Sequence, residues 1–409
     1  MNSPPSPRKK KSLLVRLGQN LLVVFLSLFV ALGIVEIALR VYNPLGFRIK
    51  GDKIVLPVNR NQVVYHRHTA KLDKVIKVHR NSLGFMGEDP PPDPAQWLTI
   101  LTVGGSTTEC VELSDAKTWP LVLGSRLKKS FRKLWLNNAG LAGHSTVGHL
   151  VLMQDYILKI KPKVVLFLIG INDTGLYKST EFENRMLKKI SFGSLDGFLT
   201  GLANYSEAFA AILNLKRYYF SKVSIRVVPE EMDIKTLPNL EVPPAARAAK
   251  IGLYRRKYLG GFEWRLKKLL QIAQNHGIMP VLITQPALFG YGRDPASGVN
   301  LGQVKVTRDM DGELAWQVLE LFNDTTRKVG REEGVLVIDL ARKMPKNSRY
   351  FFDFIHFTNG GARKAAEIIA QDLQPYLAKE FPAYALARPG QARQKLSGSQ
   401  PALANRGPL

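Results

Sequence analysis

The sequence predicts an α/β protein built on a parallel sheet covered on both faces, preceded by one membrane-length helix. Short runs of continuous apolar residues recur, Leu98 to Val103 and Val164 to Ile169 (VVLFLI) among them, as in strands buried on both sides. Stretches of helical period separate them, the alternation of strand, crossover helix and parallel strand. Near the N-terminus, an uncharged run from Leu21 to Val35 (LLVVFLSLFVALGIV) shows no polar face.

That first run, with its shoulders, extends the apolar segment over 13–39. About 20 helical residues cross a bilayer core, so Glu36 falls near the far interface. Arg8, Lys9, Lys10, Lys11 and Arg16 precede the uncharged run, which places a basic tail (1–12) in the cytoplasm and everything after Arg40 outside. No A-x-A site follows, Ala31-Leu32-Gly33 being a poor approximation, so a retained anchor is preferred over a cleaved signal.

Residues 40–96 mix short β-branched runs with turn residues and end in Glu88-Asp89-Pro90-Pro91-Pro92-Asp93-Pro94, which reads as a stalk or first lobe closed by a proline linker. The α/β domain spans 97–380. Its expected strands are Leu98 to Val103, Leu134 to Asn137, Val164 to Ile169, Pro280 to Thr284 and Val335 to Asp339. The expected helices are Trp119 to Lys133, Val147 to Ile160, Tyr254 to Asn275, Leu314 to Val329 and Gly361 to Leu377. Residues 176–248 lack a clear strand and carry an apolar face from Leu195 to Tyr219; they read as a cap insertion that shapes a substrate pocket or lies on a bilayer. The tail, 381–409, is expected to be disordered, its end being rich in Pro, Gly, Ser and Gln.

The 409 residues carry 58 Lys and Arg against 33 Asp and Glu, a formal charge of +25. With 45% hydrophobic and 9% aromatic residues, the chain is too rich in core formers to be a basic disordered tail. One cysteine, Cys110, excludes an intrachain disulfide and a cysteine-based zinc site. Basic segments interleaved with aromatics, such as Lys216 to Phe220 and Tyr254 to Tyr258, fit an anionic membrane surface first, an acidic polysaccharide second and nucleic acid last. Nothing in the sequence specifies an oligomeric state.

In parallel sheets, ligands bind beyond the carboxyl ends of the strands, so the chemistry is expected there. After the first strand comes Gly104-Gly105-Ser106-Thr107-Thr108, and after the second Asn138-Ala139-Gly140-Leu141-Ala142-Gly143-His144-Ser145-Thr146. The third is followed by Gly170-Ile171-Asn172-Asp173, and beyond the last lies Asp353-Phe354-Ile355-His356. A serine at a glycine-lined turn into a helix exposes its hydroxyl where negative charge is favoured. Glycine N–H and asparagine NH₂ groups are neutral donors for a developing oxyanion. Asp and His three residues apart let the carboxylate hold the imidazole while its other nitrogen faces the serine.

These four blocks, in this order over roughly 97 to 380, resemble the SGNH hydrolase superfamily, also called GDSL-type esterases and lipases. Glu36 and Arg40 in the anchor, with Asn81-Ser82-Leu83-Gly84-Phe85 downstream, look like membrane-tethered bacterial members. The resemblance implies a three-layer α/β/α, flavodoxin-like sandwich. It implies Ser106 as nucleophile, Asp353 and His356 as its partners, and an oxyanion hole formed by Ser106, Gly143 and Asn172. It requires no metal or cofactor.

Two departures stand out. Gly105 occupies the place of the usual aspartate before the serine, and His144 the place of an acidic residue after the second block's glycine, where Gly140 rivals Gly143 as donor. Simpler readings exist for single residues: Ser106 as a helix cap, Asn172 as a turn residue, Cys110 as buried packing, and His66-x-His68 as chance spacing rather than a metal pair. The complete set of blocks favours acyl chemistry over each of these. No nucleotide-binding glycine pattern occurs. The expected function is a membrane-anchored serine esterase acting on an ester-bearing lipid or glycan, its catalytic domain periplasmic or otherwise extracytoplasmic. An O-acetyltransferase acting on an exported polysaccharide and a non-catalytic glycan-binding scaffold are the alternatives.

Overall fold

The computed structural model describes residues 13–42, 49–66, 69–175, 195–220 and 231–386. The expected basic tail, His68, segments 176–194 and 221–230 of the expected insertion, and the C-terminal stretch 387–409 lie outside the described residues. The chain forms two compact units, one of Met1–Val55 with Asn184–Arg226, the other of Leu56–Glu183 with Val227–Leu409.

In the larger unit, five parallel strands make one sheet: β1 (Leu98–Gly104), β2 (Leu134–Asn138), β3 (Val164–Leu168), β4 (Met279–Ile283) and β5 (Val337–Ile338), in the order β2-β1-β3-β4-β5. β1 and β3 lie inside the sheet and every residue of both is buried, which is why their sequences are continuous apolar runs rather than alternating ones. Their register sets Leu101 beside Asn137 on one side and Val165 on the other. The strand order turns back between β1 and β3, and at such a switch point a crevice opens beyond the strand ends. Ser106 follows β1 and Asn172 follows β3, so both border that crevice.

Helices Trp119–Leu127 and Asn359–Glu380 pack together, as do Leu259–Asn275 and Gly312–Glu332, giving helical layers around the sheet. Two of them start at well-made caps. Asp311 accepts from the Leu314 N–H at 2.7 Å, and Thr358 from the Gly361 N–H at 3.1 Å. Gly361 is obligatory there, since a Cβ would meet the Tyr350 carbonyl oxygen at 1.9 Å.

Several boundaries differ from the sequence expectation. The helix expected over Trp119 to Lys133 stops at Leu127, and the chain turns through Lys133, at φ +49°, to enter β2. The helix expected over Tyr254 to Asn275 begins at Pro244 and divides at Tyr258, with Gly260 and Gly261 weakening the next first turn. β5 keeps only two residues at the sheet edge. The described residues from Leu56 to Gln96 group with this unit: Arg60–Tyr65 pairs antiparallel with Val75–Arg80, and Met86 bridges Asn138. The proline segment is tied down as well, because the Trp135 indole N–H donates to the carbonyls of Glu88 and Asp89. Packed chain continues past 380, with Ala385 bridging Phe131.

The smaller unit contains a 29-residue helix, Leu13–Val41, a ribbon of Ile49–Lys50 and Lys53–Ile54, and a helical hairpin, Leu195–Ala203 and Glu207–Phe220. Gly51 turns the ribbon at φ +62°, and its missing Cβ leaves room for the Asn204 amide. Leu17–Val41 is long and apolar enough to cross a membrane. The described helices of the expected insertion therefore group with the N-terminal helix, whereas Met232 onward belongs to the larger unit, where the Met232 N–H donates to the Phe352 carbonyl.

Candidate active site

β1 ends in Gly104, whose missing Cβ admits the Thr108 hydroxyl and the Leu168 carbonyl. The chain then turns at Gly105 into a single helical turn, Ser106–Glu109. Ser106 is the first residue of that turn and Gly105 its N-cap, so the serine hydroxyl is not engaged in capping. It lies 2.8 Å from His356 Nε2. On the other side of the ring, His356 Nδ1 lies 2.6 Å from Asp353 Oδ2. Asp353 Oδ1 accepts from the N–H groups of Ile355 (2.8 Å) and His356 (2.7 Å), which fixes the carboxylate against the imidazole.

Electrostatics follow from this row. Burial disfavours the Asp353 carboxylate, but the bond and charge of His356 and the two backbone N–H groups outweigh it and hold its pKa below the ordinary value. Burial likewise disfavours the imidazolium, yet the bond and charge of Asp353, with the nearby charge of Glu112, carry the His356 pKa above the ordinary value. Glu112 is itself buried, and that burial raises its own pKa. The set is a hydroxyl, a base with a raised proton affinity and a carboxylate that orients it, the arrangement needed to activate a serine.

The second loop carries the expected oxyanion glycine. Ala139, Gly140, Leu141, Ala142 and His144 each donate their N–H to an internal acceptor, Gly140 to Asn138 Oδ1 at 2.9 Å. Gly140, the rival donor, is thus engaged and buried, and a Cβ on it would strike the Glu109 backbone. Gly143, at φ +78°, faces open space and has no internal acceptor among the described residues. Asn172 has one amide hydrogen bonded to the His144 carbonyl at 2.9 Å, which leaves its second N–H as a donor.

Supports the sequence reading missed lie just behind. Glu109, wholly buried, forms an ion pair with buried Arg80, and its Oε2 accepts the Ala142 N–H at 2.6 Å. The Asn138 amide donates to the carbonyls of Thr108 and Glu109. Asp173, next to Asn172, takes the Thr146 hydroxyl at 2.5 Å and faces Arg265 at 3.3 Å. Arg265 in turn donates to Thr146 Oγ1 at 2.6 Å, tying the Asn172 turn to the helix that follows the Gly143 loop. Glu109 sits three residues after Ser106, and Arg80 directly precedes Asn81 to Phe85, but no motif links positions 29 apart. Cys110 ends the turn, buried, its thiol donating to the Thr107 carbonyl, and burial pushes its pKa up, so it is no thiolate nucleophile.

Beside the row lies a cavity of about 310 Å³ with mostly apolar walls, among them Ile171, Phe289, Met310, Leu319, Phe354 and Ile355, reaching Asp353. No group of three or more His, Cys, Asp or Glu residues suited to a metal occurs among the described residues.

A flavodoxin-like sheet order with a serine, histidine and aspartate in one hydrogen-bonded row beyond its strand ends defines a serine-dependent acyl hydrolase class. The sequence model of the GDSL-like Lipase/Acylhydrolase family matches residues 102–364, and the chain belongs to that family. It is an ester-hydrolysing enzyme. Among solved structures, it is similar to the acetylxylan esterase Axe2 from Geobacillus stearothermophilus at 13% identity and a TM-score of 0.38, over 67% of this chain and 93% of that one. It is also similar to the α/β hydrolase LAE5 from the Lake Arreo metagenome, at 14% identity and a TM-score of 0.38, over 67% and 94%. No curated protein matches the sequence significantly.

Proposed function

We propose that the chain is a membrane-anchored serine esterase of the cell envelope that hydrolyses acyl or acetyl esters through an acyl-enzyme. The observation that carries this reading is the continuous row from Ser106 Oγ through His356 to Asp353. Ser106 Oγ attacks the ester carbonyl carbon while His356 Nε2 takes its proton. The carbonyl oxygen becomes an oxyanion held by the N–H groups of Ser106 and Gly143 and by the Asn172 amide. His356 then returns the proton to the departing alkoxide oxygen, and an alcohol leaves. Water, deprotonated by the same nitrogen, attacks the acyl-enzyme to release the acid and restore Ser106. Asp353 stays ionised throughout and stabilises the imidazolium.

The apolar cavity beside Asp353 suits the hydrocarbon part of an ester, and Leu17–Val41 supplies the anchor. The basic residues ahead of that helix support an extracytoplasmic catalytic unit. The test is steady-state turnover of a short-chain aryl ester by the full chain in detergent. Wild type should hydrolyse it and Ser106→Ala should not; an inert wild type on every ester tried supports a scaffold. Acyl product on added oligosaccharide would shift the reading to transfer, whereas free acid alone keeps it at hydrolysis.

A further inference from the structure

The hairpin of the smaller unit exposes several large apolar side chains. Along the hairpin, Phe198 is 48% exposed, Tyr205 77%, Ile212 52% and Leu215 45%. Three of its polar side chains, Asn204, Asn214 and Glu207, turn the other way, to the ribbon. Asn204 accepts the Asp52 N–H at 3.2 Å, and the Asn214 amide donates to the Ile49 carbonyl at 2.7 Å. Glu207 pairs with Lys50 at 2.7 Å. Small residues, Ala203 and Ala210, are buried at the hairpin's centre with Leu213. In water such a surface exposes apolar area while spending its hydrogen bonds inward, the reverse of the usual distribution.

Glu36 of the N-terminal helix fixes where this surface sits. Its carboxylate accepts from the Ser206 hydroxyl (2.6 Å) and from the N–H groups of Glu207 (3.1 Å) and Ala208 (3.0 Å), capping the second hairpin helix across a gap of 170 residues. Arg40 bonds Glu36 at 2.7 Å and the Tyr205 carbonyl at 3.0 Å. From Leu17 to Glu36 the helix climbs about 28 Å at 1.5 Å per residue, close to the roughly 30 Å of a bilayer's hydrocarbon core. The hairpin is therefore pinned at the boundary where the anchor leaves the lipid. Its helices have 9 and 14 residues. Their lengths, about 13 and 21 Å, are too short to cross.

We propose that the hairpin Leu195–Phe220 is a second membrane-contacting element, lying in the interfacial layer at the Arg40 end of the anchor with Phe198, Tyr205, Ile212 and Leu215 against lipid and Glu36 as its pin. The inference rests on the reading of Leu17–Val41 as a membrane span. An interfacial helix pair of this kind binds lipid through buried apolar area and gives the anchor a fixed depth.

The experiment places the full chain in nanodiscs of phosphatidylethanolamine and phosphatidylglycerol doped with a phospholipid bearing a diazirine in its acyl chain. After irradiation, cross-linked peptides are mapped by mass spectrometry. Adducts are expected both within 17–35 and within 195–215, and Glu36→Ala should lower the hairpin adducts severalfold while those of the anchor persist. An anchor that labels beside a blank hairpin overturns the inference and leaves the membrane span standing; blank peptides in both overturn the span itself and the inference with it. Unchanged hairpin labelling in Glu36→Ala overturns the role of Glu36 as the pin.

Discussion

The side-chain amide of Asn172 occupies the space that a Cβ on Gly105 would need: the two would stand 2.4 Å apart. Gly105 has an ordinary backbone angle, φ −84°, so space rather than strain requires glycine there. The family's usual aspartate before the serine is thereby incompatible with this position of Asn172. Gly105→Ala is expected to displace the amide, lowering kcat by about ten- to a hundredfold, since a misplacement near 1 Å costs rates of that order. KM and thermal stability should change little. Steady-state kinetics beside a melting curve check this.

Removing the amide altogether gives the companion result. Asn172→Ala should lower kcat by about 10² to 10³, the usual loss for one oxyanion donor, while the serine still accepts a covalent probe.

The raised pKa of His356 sets the acid limb of activity. The reaction needs neutral imidazole, so kcat/KM should rise with pH through a one-proton transition with a midpoint above 6.5. Glu112→Gln should move that midpoint toward acid, because a nearby negative charge that supports the imidazolium is gone. Linkage runs in opposite senses for the pair. The stability His356 contributes is fully present below pH 6.5 and fades as pH rises through its folded-state pKa, whereas that of Asp353 is present above pH 3.8 and fades as pH falls through its lowered value. A pH–rate profile and pH-dependent denaturation measure the two effects separately.

Arg80 and Glu109 separate stability from positioning. Glu109→Gln leaves Arg80 as an uncompensated buried charge and should cost about 3 to 5 kcal/mol of unfolding free energy. Arg80→Leu with Glu109→Leu removes both charges and should recover much of that loss. The double variant still deprives the Ala142 N–H of its acceptor, so the loop bearing Gly143 loosens. Its kcat is expected to stay about tenfold low with KM near wild type, an outcome that a purely structural pair would not give.

The cavity beside Asp353 predicts chain-length selectivity. Met310 is half-buried in its wall, and Met310→Trp should fill part of the space at little cost to the fold. The ratio of kcat/KM for an octanoyl over an acetyl aryl ester should fall several-fold; an unchanged ratio would place the acyl group elsewhere.

Much of the fold and its candidate site was readable because the chemistry stands where buried strands must end. The run VVLFLI points to a central strand, and the Gly-Ile-Asn-Asp that follows it has nowhere to go but the crevice. Between Gly140 and Gly143, spacing to Ser145-Thr146 favours Gly143, but what occupies the Gly140 N–H, the Asn138 side chain, is a contact that no spacing shows. Arg80 with Glu109 and Gly105 with Asn172 were equally hidden, being contacts between segments rather than patterns within one. Whether residues 56–96 form a stalk or a lobe was hidden for a related reason. Turn residues and prolines resemble a linker in sequence, but the Trp135 indole and the Met86 bridge to Asn138 bind this segment to the sheet edge.

The central claim, that Ser106 is the nucleophile activated by His356 and Asp353, is tested most directly by intact-mass analysis of the full chain after reaction with a fluorophosphonate. The account predicts one adduct, mapped to the peptide containing Ser106, absent in Ser106→Ala and strongly slowed in His356→Ala. An adduct that survives Ser106→Ala, or a wild type that is never labelled, would contradict it.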